Sequence, residues 1–271
     1  AGGPHSLAGV FIKNRAAASG DDSRAFALQQ FGEEGLFELS KLLLAISLED
    51  CRNRTALATL KLDVGINEAF MSYMARVSNP KNQDNPSSAK LLRYCVTKKP
   101  WSVFEHAHMS LQIDTTLDIA TQILRHRSFC FQQLSRRYAG SDEAPVQFQL
   151  PELRSAHPTN RQDSVAGGVP AEFVLGAMEL IEEHFARSLD LYNLMLQNGV
   201  AKECARAILP QATKTQLYMT GNCRSWMHYI SLRRSNGTQK EHRDVALKAE
   251  ECFKFVFPTC HAVCEEIDWD L

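Results

Sequence analysis

A chain of 271 residues with 44% hydrophobic content can form one large domain or two small ones around a packed core. Its formal net charge of -1 and pI near 6.8 exclude a generally cationic, polynucleotide-seeking surface. The longest apolar-rich run, Leu36 to Leu48, contains Glu38 and Lys41 and is too short for a bilayer, so a helix rather than a membrane anchor is expected there.

Residues 1 to 20 are rich in Gly, Ala and Ser and read as a disordered tail, a composition that also suits an organelle-targeting segment. From Asp22 to Asp50, Phe26, Phe31, Leu36, Leu39, Leu43 and Ile46 recur at amphipathic spacing, which predicts one or two helices. The expected organisation is an N-terminal extension over 1–60 and one main domain over 61–271. The spacing predicts further helices over Asn67 to Val77, stopped by Ser78-Asn79-Pro80, and over Ser88 to Val96. His106 to Asp114 alternates strictly, placing Ala107, Met109, Leu111 and Ile113 on one face of a half-buried strand. Thr115 then precedes Asp118 by three residues in a capping-box-like start, and Leu117, Ala120, Ile123 and Leu124 follow at helical spacing.

That helix leads into Arg125, His126 and Arg127, with Arg136 and Arg137 close behind and no carboxylate between Asp118 and Asp142. Forked guanidinium donors without acidic partners call for an anion, and the neutral overall charge favours a small one. Gly140 to Gly168 reads as irregular, with a short strand at Val146 to Leu150. Pro170 starts a long helix through Phe173, Leu180, Phe185 and Leu189 that Asn198-Gly199 ends. Arg206 stands beside Ala205, Ile208 and Leu209 on a predicted helix, where a cation on an apolar face needs an anionic partner. Over 223–233, Arg233 shares a helical face with Trp226, Tyr229 and Ile230, while Arg224 and His228 share another. A last helix, Gln239 to Phe255, buries Val245, Ala249, Cys252 and Phe253; Pro258 interrupts the pattern before an acidic tail.

Eight cysteines are scattered without CxxC pairs, and no run reads as a secretory signal, so reduced thiols in an intracellular, cytoplasmic setting are expected. Cys260-His261-x-x-Cys264 has the form of a metal half-site, but no second pair has zinc-like spacing, and no metal is predicted.

Arg125-His126-Arg127, seven residues and Ser135 resemble the Arg-His-Arg-x7-Ser motif of the flavin-dependent thymidylate synthases. The resemblance extends through Phe104-Glu105-His106, the run Ala205 to Pro210 and the run Asn222 to Arg233, covering about residues 60 to 268. It implies α+β subunits with an antiparallel sheet and long helices, assembled as a homotetramer with sites built between subunits. It further implies methylation of dUMP to dTMP, with 5,10-methylenetetrahydrofolate giving the carbon and FAD, reduced by NADPH, giving the hydride.

The matching positions assign dUMP binding to Gln122, Arg125, Gln133, Ser135, Arg137, Arg206 and Arg233, with Arg233 also catalytic. Flavin contacts fall on Ser78, Ser102, Arg125, His126, Arg127, Asn222, Arg224 and His228. Two positions depart from the family pattern: Gln133 where many relatives have Glu, and Pro100 where many have His. No GxGxxG or Walker loop is present, so a dinucleotide-binding βαβ unit is not expected to hold the flavin. Two other assignments use the same residues. A cysteine-dependent thymidylate synthase would employ Cys130, inside the arginine cluster; an arginine-rich nucleotide or RNA-binding module would bind polynucleotide with steep salt dependence and no flavin.

Overall fold

The computed structural model of the protein describes residues 11–13, 66–82, 85, 87–161 and 163–271. The chain divides into two compact units, residues 1–112, 220–232 and 247–271 in the first and 113–219 and 233–246 in the second. The helices predicted over Asp22 to Asp50 lie outside the described residues. Among the described residues no helix is long and apolar enough to cross a membrane.

In the first unit, β1 (Phe11–Lys13) is a strand inside the stretch expected to be a disordered tail. Its backbone finds a partner in β2 (His108–Thr116), against which it runs parallel with Phe11 opposite Ser110. Helix α1 (Ile66–Ala75) passes into a 3-10 turn, Arg76–Ser78, ahead of the proline that a helix cannot continue through. Helix α2 (Ser88–Lys98) ends in left-handed Lys99 (φ 62°), with Pro100 directly after it and a 3-10 turn over Trp101–Glu105. As the alternation predicts, Ala107, Met109, Leu111 and Ile113 are all buried. Ser110 and Gln112 are buried too, so β2 is covered on both faces rather than half-buried.

Strand β6 (Lys214–Asn222), which the sequence reading missed, supplies β2's antiparallel neighbour. In the first unit the Ser110 and Thr220 hydroxyls meet at 2.8 Å; in the second, Gln216 Nε2 donates to Asp114 at 2.9 Å, four residues along in the opposite sense. The sheet order is β1-β2-β6-β3, with β3 at Cys130–Gln133. The expected antiparallel sheet is therefore mixed, through β1.

Helix α6 (Cys223–Arg233) inserts Trp226 into the first unit's core, where its indole N–H donates to Met109 O at 2.9 Å and its ring meets Tyr229 edge-on. Helix α7 (Lys240–Val256) buries Ala246, Ala249 and Phe253; Val245 and Cys252, expected in the core, are only half-buried. Pro258 does not end helical structure but starts α8 (Pro258–Glu266), the position a helix favours for proline. The fully buried Glu68 carboxylate accepts the Cys260 N–H at 2.8 Å, satisfying a donor of α8's first turn.

In the second unit, α3 (Leu117–Ile123) begins one residue later than the capping-box expectation: its N-cap is Thr116, whose hydroxyl bonds the Asp118 carboxylate. The expected strand at Val146 to Leu150 reduces to one bridge, Phe148 to Thr213, and the stretch read as irregular contains the hairpin β4 (Ser155–Ala156) with β5 (Ser164–Val165). Helix α4 (Ala171–Gln197) runs 27 residues, about 40 Å at helical rise, and stops before Gly199 at φ 78°. Tyr192 on it packs with Val146 and Ala205 in the unit's core. Among the described residues nothing covers the face carrying Phe173, Leu180 and Leu194, which are 63%, 67% and 54% exposed; Leu175, 70% exposed, lies on another side of the helix.

Candidate functional site

The central motif lies wholly in the second unit. α3 ends at Ile123, and the chain turns so that His126 is half-buried while Arg125 and Arg127 stay exposed. Arg233, the last residue of α6, donates its Nε–H to His126 Nε2 at 3.0 Å. Burial first and the Arg233 charge second bring the His126 pKa down to about 4, so this imidazole is neutral and accepts. Fully buried His242 lies edge-on to His126 at 6.0 Å between ring centres. Burial, then Arg233 and His126, lower its pKa to about 4 as well. His242 Nδ1 stands 3.3 Å from Gln122 Oε1, and Gln122 Nε2 donates to Gln239 Oε1 at 2.7 Å.

Strand β3 places Gln133 so that its amide donates to the Thr215 hydroxyl at 3.3 Å, a contact between neutral groups. Ser135 Oγ receives the Arg137 backbone N–H at 3.4 Å and, among the described residues, has no base bonded to it that would make it a nucleophile. The arginines of the cluster divide by function. Arg136 is buried and spends its guanidinium on the Ala144 and Pro145 carbonyls, so it is structural. Arg137 pairs with Glu203 at 3.1 Å across half-exposed side chains, an exchangeable contact worth little in water. Among the described residues, Arg125, Arg127 and Arg206 have no carboxylate partner. Arg206 corrects the expectation of an apolar helical face: it sits in the exposed 3-10 turn Arg206–Ile208 that follows α5 (Lys202–Ala205), and water already solvates it. Cys130 is exposed at the start of β3.

The remaining predicted residues belong to the first unit. Trp101 stands beside two of them. The Arg224 guanidinium stands 5.8 Å from the Trp101 ring centre, the His228 ring 4.7 Å from it, and Glu105 forms an ion pair with Arg224. Partial burial, then the charges of Arg224 and Lys99, lower the His228 pKa, keeping that ring neutral. Asn222 is an N-cap: its Oδ1 accepts the Ser225 N–H at 2.8 Å, which leaves its amide N–H groups for a ligand. Ser78 and Ser102 are exposed on 3-10 turns. Pro100, in place of the family's His, stands at the N-cap of the second of these turns.

Sequence reading missed Trp101, Glu105, Gln239 and His242. Glu105 lay inside a quoted motif, and Trp101 flanked it; Gln239 and His242 gave no signal, because their partners come from residue 122. The cavity of about 490 Å³ in the second unit, between Asp114, Leu134, Arg136 and Lys214, contains none of the predicted residues. Leu134 and Arg136 line it from just past the end of β3, Arg136 within a turn. The suspected metal half-site separates. Cys260 and Cys264 turn into the core at spacing i, i+4, and contact with Cys223 together with burial raises the Cys260 thiol well above its ordinary pKa. His261 faces Glu250 at 3.2 Å instead.

Residues 63–259 match the family described as thymidylate synthase complementing protein. A probable flavin-dependent thymidylate synthase of Paramecium bursaria Chlorella virus 1 is 46% identical over 208 residues, covering 76% of this chain and 93% of the viral one. A flavin-dependent thymidylate synthase of Synechocystis is 45% identical over 73% of this chain and 89% of its own. In fold, the chain resembles the UMP/dUMP methylase PolB from Streptomyces cacaoi, solved with 5-Br dUMP, with a TM-score of 0.64 at 24% identity over 76% of this chain and 93% of the methylase.

Proposed function

The chain belongs to the flavin-dependent thymidylate synthases, and we propose that it converts dUMP to dTMP with 5,10-methylenetetrahydrofolate, FAD and NADPH. One observation carries this: the Arg233–His126 bond lies at an arginine motif whose Arg125 and Arg127 have no carboxylate partner among the described residues. Such a group needs a ligand with distributed negative charge, which a nucleotide monophosphate supplies.

Arg137 and Arg206 bind the phosphate of dUMP, with Glu203 yielding Arg137 when substrate arrives. Arg125, Gln122, Gln133 and Ser135 make further bonds to the nucleotide, those of the last three between neutral groups. His126 holds Arg233 by Nε, so the guanidinium turns without losing that bond only about one direction, and its terminal N–H groups remain for the uracil ring. A fixed cation beside negative charge developing on the ring lowers the barrier by several kcal/mol in a site that excludes water. Because His126 is neutral, it adds no second positive charge to compete with Arg233 for that role.

The donor set also fits a flavin. In the first unit, Ser78, Ser102, Asn222, Arg224 and His228 would hold it, with Trp101 giving Arg224 and His228 an aromatic wall; in the second unit, flavin contacts are proposed for Arg125, His126 and Arg127. Bound FAD supplies a carrier that takes hydride from NADPH and delivers it toward the one-carbon unit. The exposed apolar face of α4 supports a homotetramer, since Phe173, Leu180 and Leu194, each more than half exposed along about 30 Å of helix, favour burial against other copies. The test is the visible absorption of the purified protein. Oxidised-flavin bands that bleach under anaerobic NADPH are expected; a colourless protein that takes up no FAD would overturn the proposal.

A further inference from the structure

Gln122 is joined to the surface of the second unit through a chain of hydrogen bonds with only one chemically allowed direction. Arg154 is nearly buried and grips Glu241 with both terminal nitrogens, Nη1 to Oε1 at 2.7 Å and Nη2 to Oε2 at 2.9 Å. Burial opposes ionisation of Glu241, but bonds from Arg154, its own backbone N–H and Gln239 outweigh it and hold the pKa at about 2. An ionised carboxylate only accepts. Gln239 must therefore turn its NH₂ toward Glu241, as the 3.0 Å contact from Nε2 to Oε2 records, and its carbonyl away. That carbonyl can only accept, so the Gln122 NH₂ faces it at 2.7 Å. The Gln122 carbonyl is then left facing His242 Nδ1 at 3.3 Å, so Nδ1 carries the proton of this buried ring.

We propose that Glu241, acting through Gln239, is a positioning residue that sets which end of the Gln122 amide faces the nucleotide site, and that His242 locks the result. This rests on the reading that Gln122 binds dUMP. A glutamine amide free to rotate by half a turn presents a donor or an acceptor at the same place, and a nucleobase tells the two apart. With the relay intact, one orientation persists, leaving one amide N–H and one carbonyl lone pair in fixed places for the ligand. The Arg154–Glu241 pair lies at the far end of the relay, so it acts on the site without being assigned any contact with substrate.

Two variants of the flavin-loaded protein separate polarity from mere scaffolding. Glu241→Gln keeps the shape but offers Gln239 either an acceptor or a donor, so the direction is no longer imposed. Arg154→Met removes the ion pair but leaves a carboxylate facing Gln239 that is ionised at neutral pH. Titration of each with dUMP by calorimetry is expected to show about a tenfold weaker Kd for Glu241→Gln, the worth of one misdirected hydrogen bond. Arg154→Met is expected to melt earlier yet keep Kd within about twofold, since the acceptor survives. Equal losses in both variants, or an unchanged Kd in Glu241→Gln, would overturn the relay while wild-type binding of dUMP upheld the functional reading. A wild-type protein that takes up flavin but no dUMP would overturn both.

Discussion

Arg233 and His126, 107 residues apart, fix one another: the guanidinium Nε–H points at an imidazole nitrogen 3.0 Å away that stays bare because burial and the cation itself keep the ring neutral. A protonated His126 would repel Arg233 and have no lone pair to receive it. The bond therefore sets both the direction of the cation and the protonation state of the motif's central histidine.

If Arg233 is the cation that stabilises charge on the pyrimidine, Arg233→Ala lowers turnover by about 10² to 10³, the loss seen when one preorganised donor is removed. Flavin content, read from the visible spectrum, stays within a few tenths of wild type. Turnover unchanged in the variant would contradict its assigned role.

Arg137→Ala removes a phosphate donor whose present partner is a half-exposed Glu203. The KM for dUMP is expected to rise by about tenfold or more, with flavin affinity unaltered, because a charge-assisted bond is worth about 1.5 to 3 kcal/mol. A larger loss of flavin than of dUMP would mean that the nucleotide and flavin residues are exchanged.

The two neutral histidines give stability a definite pH dependence. Their folded pKa values of about 4 lie below the ordinary value of 6.5, so the unfolded chain binds more protons between those limits. The contribution is complete above pH 6.5 and is lost as pH falls toward 4. Allowing for the partial exposure of His126, a fall of about 1 to 2 kcal/mol between pH 7 and 5 is expected in urea unfolding. His242→Gln should flatten the slope; a wild-type curve level over this range would contradict neutral, buried rings.

Trp101 is the common neighbour of Arg224 and His228. Trp101→Leu removes the aromatic wall but keeps apolar bulk, and flavin affinity should drop by about three- to tenfold, in line with a cation–π contact of roughly 0.5 to 1 kcal/mol and the lost ring contact. Equilibrium dialysis against FAD reads this directly. An unaltered affinity would remove Trp101 from the flavin site.

On α4, Phe173→Lys with Leu180→Lys, seven residues apart and so on one side of the helix, places two charges on the exposed apolar face. Light scattering should show the assembly breaking into smaller species without loss of helix signal. A variant with the wild-type mass would mean that this face is not buried between copies.

Much of the candidate site was legible because it is written in contiguous letters: Arg125-His126-Arg127 through Ser135, and the α6 run that puts Arg233 on one side with Trp226 and Tyr229. What was missed depends on pairing at a distance. Strand β6 does alternate, with Thr215, Leu217 and Met219 inward, but threonines and a glycine among them dilute the apolar signal, and four-residue β3 is too short to show a period. Arg206 was misplaced because its apolar neighbours Ala205, Ile208 and Leu209 suggested a helical face where the chain makes a single tight turn. His242 and Glu241 look like ordinary residues of a charged helix start. Only the approach of Gln122 turns them into parts of the site.

The most direct measurement is dTMP formation by the purified protein from dUMP, methylenetetrahydrofolate, FAD and NADPH under anaerobic conditions, omitting each component in turn. Formation of dTMP that stops when NADPH or the folate is left out, and when the bound flavin has first been stripped from the protein, is the predicted result. A protein that binds flavin and dUMP yet makes no dTMP with all components present would contradict it.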